Sequence, residues 1–384
     1  MSVWNSWVLS SSSKQYLNRV GLHVEVDVQG DRAMATMRTL DATSVISADF
    51  PARPEGPVFV VGVFRSGTSF FFSLLNKHPE IALLYESDIA CFHPTLLGGR
   101  LKKDWFERID FWNSSMHRHG ISPPADLPLR PSPSEAAVWL YKNYADRKGA
   151  RIYGEKSPSY ADSLEKLADR FPNVRIIVLW RNPIDVCDSV CRAGKTSRFF
   201  RKRGMVFRIL NHFELLQKDC DRLLAQGWPI LQVDYESLVQ NREETMQRVC
   251  DFLDLEFDAS MLSSENRDLS MVPDGIHHLR VRRAEQTVPE RERTLSERTR
   301  RKIGRYQTRW ARKYPSLLLS RCFTDCQPKP PGFLELCVDH LAGWALQAWD
   351  LVVRIIYYLL PASWLRVYRK RLTKGSGKLA EGHS

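Results

Sequence analysis

Two stretches of this chain depart from ordinary apolar–polar alternation, and they do so in the same way. Val58-Phe59-Val60-Val61 and Val174-Arg175-Ile176-Ile177-Val178-Leu179-Trp180 are nearly continuous apolar runs. Such runs predict strands of a parallel sheet covered on both faces. Each run ends in a turn that opens into a helical pattern. The first turn is Gly62-Val63-Phe64-Arg65-Ser66-Gly67-Thr68-Ser69, with an apolar helix over Phe70 to Leu75. The second is Arg181-Asn182-Pro183, leading to a helix that carries Asp185, Asp188, Ser189 and Arg192. Residues 159–171 predict a helix closed by Pro172-Asn173. Residues 204–226 predict another, closed by Gly227, with the strand Pro229-Ile230-Leu231-Gln232-Val233 after it. Repeated βα units of this kind predict an α/β fold with a doubly wound, P-loop-like parallel sheet. Ligands of such sheets bind beyond the carboxyl ends of the strands, which is where Arg65 and Arg181 fall.

Outside these units the pattern changes. Leu22-His23-Val24-Glu25-Val26-Asp27-Val28, followed by Gln29-Gly30-Asp31, has the period of two expected of a β-hairpin. Residues 92–135 are rich in Trp, charge and Pro, and Pro123, Pro124, Pro128, Pro131 and Pro133 argue against a long helix there. That segment is expected to form an acceptor-side insertion. The expected organisation is an N-terminal extension over 1–55, an α/β domain over 56–325, and an appendage over 326–384.

The first turn has chemistry built into it. A strand, a Gly-bounded loop and a helix N-terminus surround a phosphate with backbone N–H groups. The spacing Gly62-x4-Gly67 is that of a nucleotide P-loop, but Thr68-Ser69 follows where Lys-Ser/Thr would bind a triphosphate. The cation sits inside the loop instead, at Arg65. At the end of the second strand, where a P-loop NTPase carries an acidic Mg²⁺ ligand, this chain has Arg181. Ser189 follows eight residues later, about two helical turns in. A guanidinium and a hydroxyl near a helix N-terminus suit a second phosphate. Two phosphate pockets without a metal are therefore expected, and a small-molecule kinase is the weaker reading.

Together these residues resemble the sulfotransferase superfamily, whose donor is 3′-phosphoadenosine 5′-phosphosulfate (PAPS). Phe64-Arg65-Ser66-Gly67-Thr68-Ser69 looks like the family's 5′-phosphosulfate loop, in the R-S-G-T-[ST] branch that includes tyrosylprotein and many microbial sulfotransferases. Arg181 and Ser189 match the pair that holds the 3′-phosphate, with Arg192 on the same helix. Gly154-Glu155-Lys156-Ser157-Pro158 resembles the family's K-x-P element. Val233-Asp234-Tyr235-Glu236 and Val249-Cys250-Asp251-Phe252-Leu253 resemble its later strand and helix. The resemblance covers roughly residues 56–260 and implies in-line sulfuryl transfer. Arg65, Lys156 and the loop amides would neutralise the leaving phosphate. Glu86, eight residues after His78, matches the family's general base; Asp88 is the alternative on the same segment. Tyr235 is assigned to the nucleotide site on the same resemblance. The anchor of Golgi-type members has no counterpart in residues 1–52, which also lack a charged-then-apolar leader, so the cytoplasmic side is expected.

Charge and cysteine content add two constraints. The formal net charge is +12, and Arg280 to Lys313 alone holds thirteen Lys/Arg against four acidic residues. Lys195, Arg198, Arg201, Lys202 and Arg203 form a second basic cluster. No nucleic-acid-binding signature accompanies this charge, and a doubly phosphorylated donor accounts for part of it, so no nucleic acid partner is expected. The eight cysteines include no C-x-x-C pair, and the ten histidines, His277-His278 included, lack metal-ligand spacing.

The last unusual feature is Phe333 to Tyr368. Trp344, Trp349, Tyr357, Tyr358 and Trp364 lie among aliphatic residues, and Arg366, Arg369, Lys370, Arg371, Lys374 and Lys378 follow. A span takes roughly 20 consecutive mainly apolar residues. Here Glu335, Asp339, Asp350, Arg354 and Pro361 interrupt the run. The pattern therefore predicts amphipathic helices lying on a membrane surface through residues 333–378, with the same face free to pack on the core or join a homo-oligomer. A lipid-borne hydroxyl acceptor follows from the membrane alternative. A non-catalytic membrane scaffold that keeps the nucleotide fold is the non-enzymatic option.

Overall fold

The computed structural model describes residues 24–29, 32–37, 55–91, 100–112, 121, 128–197, 199–201, 204–263, 272 and 295–306 except 298 and 302, plus isolated helical and loop positions between 341 and 364. The Gly30-Asp31 turn, the histidine pair 277–278, the cations Arg198, Lys202 and Arg203, most of the 280–313 basic segment, and the basic tail 366–378 lie outside the described residues. Two compact units result, Met1–Pro54 and Glu55–Ser384. The first contains an antiparallel hairpin of β1 (Val24–Gln29) and β2 (Arg32–Met37), with Val24 opposite Met37 and Gln29 opposite Arg32.

In the second unit, five strands among the described residues form one sheet, all of them parallel. They are β3 (Val58–Val61), β4 (Ile81–Tyr85), β5 (Ile152–Lys156), β6 (Arg175–Trp180) and β7 (Ile230–Asp234), in the spatial order β4-β5-β3-β6-β7. The apolar run of β3 occupies the centre, and each of its four residues is fully buried. At the edge, β7 alternates buried and half-exposed positions, as a strand with a wetter flank does. Fully burying a Val, Leu or Phe contributes about 1.5–3 kcal/mol, so each of these buried side chains adds substantially to the core.

The helices are α1 (Thr68–Leu75), α2 (Trp105–Trp112), α3 (Pro133–Lys148), α4 (Leu164–Arg170), α5 (Pro183–Thr196), α6 (Met205–Ala225), α7 (Tyr235–Gln240) and α8 (Arg242–Leu253). The prolines of 92–135 argue against a long helix, yet Pro133 opens one of sixteen residues. It occupies a first-turn position that needs no N–H donor. Ser132 and Glu135 close a capping box in front of it, and Gly149 at φ 66° ends it. The single helix expected over 159–171 is instead two elements. A 3₁₀ turn, Pro158–Asp162, and α4 are separated by Ser163, whose φ of −147° is not helical. Helix α3 packs on β4 and β5, and α1 packs on β3, β4 and β5.

The five described cysteines, Cys91, Cys187, Cys191, Cys220 and Cys250, are unbridged. Among the described residues no helix is long and apolar enough to cross a membrane. Towards the C-terminus, positions 341, 344, 345, 348, 349, 352 and 359 are helical and exposed. The three- and four-residue steps between Leu341, Trp344, Ala345, Ala348, Trp349 and Val352 are those of one helix face. Trp344 is 73% exposed and Leu341 69%. A hydrogen bond from the Arg108 guanidinium on α2 to the carbonyl of Leu360, 2.8 Å, ties this segment to the insertion.

Candidate active site

At the tip of β3 the chain turns back on itself before α1 begins. The Ser66 N–H bonds to the carbonyl of Val63 at 3.1 Å, and the Gly67 carbonyl receives the N–H groups of Phe70 and Phe71. Gly67 caps the helix at φ 104°, a left-handed conformation that a side chain resists. It also has no room for one, because a Cβ there would lie 2.4 Å from the Tyr235 ring. The first N–H groups of α1 have no intrahelical acceptor, and with the helix dipole they favour an anion. The Ser66 hydroxyl oxygen is buried without a hydrogen-bond partner among the described residues, which marks the same spot.

The neighbouring strand supplies the second cation. Arg181 follows β6, its guanidinium stacked 4.1 Å from the centre of the Tyr235 ring. Its Nη1 reaches the Arg65 carbonyl at 3.4 Å, and its Nε is buried without a hydrogen-bond partner among the described residues. Asn182 caps α5 through its side chain, and its own N–H is held by Glu236 at 3.3 Å. From α5, Ser189 faces the loop and accepts a hydrogen bond from Arg65 Nε at 3.1 Å. Arg65 also lies 5.8 Å from the Phe200 ring centre. Arg192 is paired with Asp188 one turn earlier on its own helix. Arg65, Ser66, Gly67, Arg181, Ser189 and Tyr235 thus share one wall. Arg65 leans on Ser189 rather than towards Lys156.

The opposite wall is made by the ends of β4 and β5. Lys156 is fully buried, its ammonium 3.3 Å from the centre of the Tyr85 ring. It donates to Glu86 Oε1 at 2.5 Å and to Ser69 Oγ at 3.3 Å. Burial holds the Lys156 ammonium below the usual lysine range, and the charge of Glu86 opposes that fall. Tyr85 Oη lies 2.8 Å from Ser69 Oγ, and burial pushes its phenol well above the ordinary value. Glu86 keeps 33% of its side chain exposed, so the carboxylate paired with a buried cation is reachable from solvent. Ser69 joins the two walls, because it lies in the first turn of α1 and touches both Lys156 and Tyr85.

Four residues around this wall were not anticipated in a role. Glu155, Tyr141, Tyr160 and Ser157 form a buried set behind Lys156. Asp88, the alternative base, turns towards them, and Ser157 Oγ donates to its Oδ1 at 2.5 Å. Burial first, then the negative charge of Glu155, pushes the Asp88 carboxyl up to about 7. One signal for this set was in view: two adjacent charged residues, Glu155-Lys156, in a strand whose every residue is buried.

The chain is similar in sequence to known proteins over the same region. A family profile described as "Sulfotransferase family" matches residues 57–259. Protein-tyrosine sulfotransferase A of Caenorhabditis elegans is 26% identical over 243 residues, which are 60% of this chain and 58% of that protein. The chain therefore spans less than two thirds of that relative's length. Among solved structures, the sulfotransferase domain of the Synechococcus PCC 7002 olefin synthase is 18% identical, with 67% of this chain and 94% of that one covered and a TM-score of 0.43. Mouse sulfotransferase SULT7A1, complexed with PAP, is 13% identical, with 71% and 89% covered and a TM-score of 0.40. The profile takes in more than half of the chain, including both walls of the cleft, and on that match the chain belongs to the sulfotransferase family.

Proposed function

We propose that the protein is a sulfotransferase that moves a sulfuryl group from PAPS to a hydroxyl of a membrane-associated (lipid or glycolipid) or saccharide acceptor. The observation that carries this reading is the shared wall of Arg65, Arg181 and Ser189 beside a helix N-terminus, with two buried polar atoms, Ser66 Oγ and Arg181 Nε, lacking a partner. Unpaired buried donors of this kind fit an anionic group with two phosphate ends. PAPS, when bound, supplies the activated sulfuryl group on its 5′-phosphate.

Arg181 and Ser189 are assigned to the 3′-phosphate, with Arg192 behind them. The N–H groups of Ser66 to Ser69 are assigned to the 5′ end, with Arg65 between the two. Lys156 is oriented by Ser69 and Glu86 to neutralise charge on the leaving phosphate. Glu86 is the general base: it is exposed enough to meet an acceptor hydroxyl and takes its proton. No step assigned here uses a metal.

Support for a membrane-side acceptor comes from the exposed apolar face at 341–359 and the six cations that follow it in sequence, which suit an anionic interface. On this reading the protein rests on the cytoplasmic side of that surface.

Incubation with ³⁵S-PAPS and separate lipid and water-soluble extracts tests both parts. Label is expected in a lipid-phase product made by the wild type. Absence of transfer to either extract contradicts the activity; label confined to water-soluble product contradicts the lipid acceptor. Removal of residues 333–384 is expected to move the protein from vesicle-bound to free, and unchanged sedimentation with vesicles contradicts the membrane surface.

A further inference from the structure

The bend that carries Glu86 is held in an unfavourable backbone conformation. Glu86 has φ 48° and Asp88 φ 57°, both in the left-handed region. Each non-glycine residue there costs on the order of 1–3 kcal/mol and persists only where its surroundings impose it. Here the surroundings are β5 and the 3₁₀ turn after it. The Glu86 N–H bonds to the Lys156 carbonyl at 2.9 Å. The Asp88 N–H bonds to Glu155 Oε1 at 2.7 Å, and the Ala90 N–H to the Tyr160 hydroxyl at 3.1 Å. Every second amide of the bend is thus fastened.

Glu155 is the centre of this fastening. It is fully buried, and its other oxygen accepts from Tyr141 at 2.5 Å and from Tyr160 at 2.8 Å. Side chains alternate along a strand, so Glu155 and its neighbour Lys156 face opposite sides of the sheet. Lys156 meets Ser69 on α1; Glu155 meets Tyr141 on α3. A buried carboxylate without a cation against it is costly unless its lone pairs are filled. The two tyrosines, the Asp88 amide and the Ser87 hydroxyl fill these, and the last two belong to the bend itself.

We propose that Glu155 is a positioning residue: it fixes the 86–90 bend from behind the sheet and so aims the Glu86 carboxylate at Lys156 and the cleft. This rests on Glu86 acting as the base. Glutamine cannot reproduce the arrangement, because one of its two polar atoms donates and cannot accept from both the Asp88 amide and the tyrosines.

The test compares Glu155→Gln, Tyr160→Phe and Glu86→Gln with the wild type. Hydrogen–deuterium exchange of the ligand-free proteins is followed in peptides covering 84–91, with 174–180 as the internal control. Glu155→Gln is expected to raise exchange at 84–91 about tenfold while 174–180 is unchanged. The same variant is expected to bind adenosine 3′,5′-bisphosphate within about twofold of wild type. Its kcat for ³⁵S transfer from PAPS into lipid extract is expected to fall roughly 10- to 100-fold with KM for PAPS unmoved, the scale of a small misplacement of a reacting group. Unchanged exchange at 84–91, or faster exchange with unchanged kcat, overturns the positioning role. A fully active Glu86→Gln overturns the base assignment instead, and the exchange result then still decides whether Glu155 holds the bend. If Glu155→Gln does not fold, Tyr160→Phe removes one donor to Glu155 and the acceptor for Ala90, and carries the same measurement with a smaller rise of about threefold.

Discussion

The two walls of the cleft are built in different ways. The donor-side wall is local: a seven-residue reach from Gly62 to Thr68, a helix N-terminus, and one arginine at the tip of the next strand, arranged mostly by backbone geometry. The wall assigned to the acceptor is a network. Glu86, Asp88, Tyr141, Glu155, Lys156, Ser157 and Tyr160 come from a bend, a helix, a strand and a 3₁₀ turn, and are joined by buried charge and hydroxyls. The first wall can bind an anion whether or not the second is intact. The second aims a carboxylate, which makes it the fragile half.

This contrast can be broken at several points. Replacing the proposed base is expected to have the largest effect: Glu86→Gln should lower kcat by about 10²–10⁴-fold, the usual contribution of a general base. Affinity for adenosine 3′,5′-bisphosphate, measured by titration calorimetry, should stay within about twofold, because Glu86 belongs to the other wall. A matching loss of affinity would erase the distinction between the walls.

Next comes Gly67→Ala. The left-handed φ and the Tyr235 ring together leave no place for a methyl group, so the variant should lose about 1–3 kcal/mol of stability and bind bisphosphate more weakly. Chemical denaturation measures the first, and a wild-type midpoint would show that the loop is looser than described.

A pH series addresses the acceptor wall alone. The Asp88 carboxyl, ordinarily near 3.8, is pushed up to about 7, and burial moves Glu155 in the same direction. Between those values the folded protein holds a proton that the unfolded chain has released. Stability therefore falls as pH rises through that window, and is fully retained below it. Asp88→Asn is expected to flatten the decline in thermal midpoint between about pH 4 and 7. An identical slope in the variant would mean that Asp88 does not titrate there.

Ser189→Ala should be the mildest change. It removes one hydroxyl that also accepts from Arg65, and a loss of about 1 kcal/mol, or roughly fivefold in bisphosphate affinity, is expected. No change in affinity would take Ser189 out of the donor wall.

The same contrast explains what could be read before the fold was known. The donor wall was legible because each of its motifs is contiguous in itself: the apolar runs of β3 and β6 identify themselves, and a Gly-bounded loop between strand and helix leaves few alternatives. What was not legible is that Arg65 turns to Ser189, a contact across 124 positions of sequence. Strand β5 was hidden because Glu155 and Lys156 interrupt its apolar pattern, although both are buried in the fold. Helix α3 followed a proline-rich stretch that argued against helix, and only the Ser132–Glu135 capping box marks its start. The break at Ser163 left no mark in the apolar periodicity of 159–171. Glu86 itself was placed by resemblance and offset; its ion pair with a fully buried lysine needed the fold.

The central claim is that one wall grips both ends of a doubly phosphorylated donor, with Arg181 as its fixed cation. Calorimetric titration of adenosine 3′,5′-bisphosphate into the full chain, in buffer without Mg²⁺, tests it most directly. Saturable binding by the wild type and an affinity weaker by about 10- to 100-fold in Arg181→Ala are predicted, the scale of losing charge-assisted hydrogen bonds to a phosphate. Equal affinities in a folded Arg181→Ala would contradict the account.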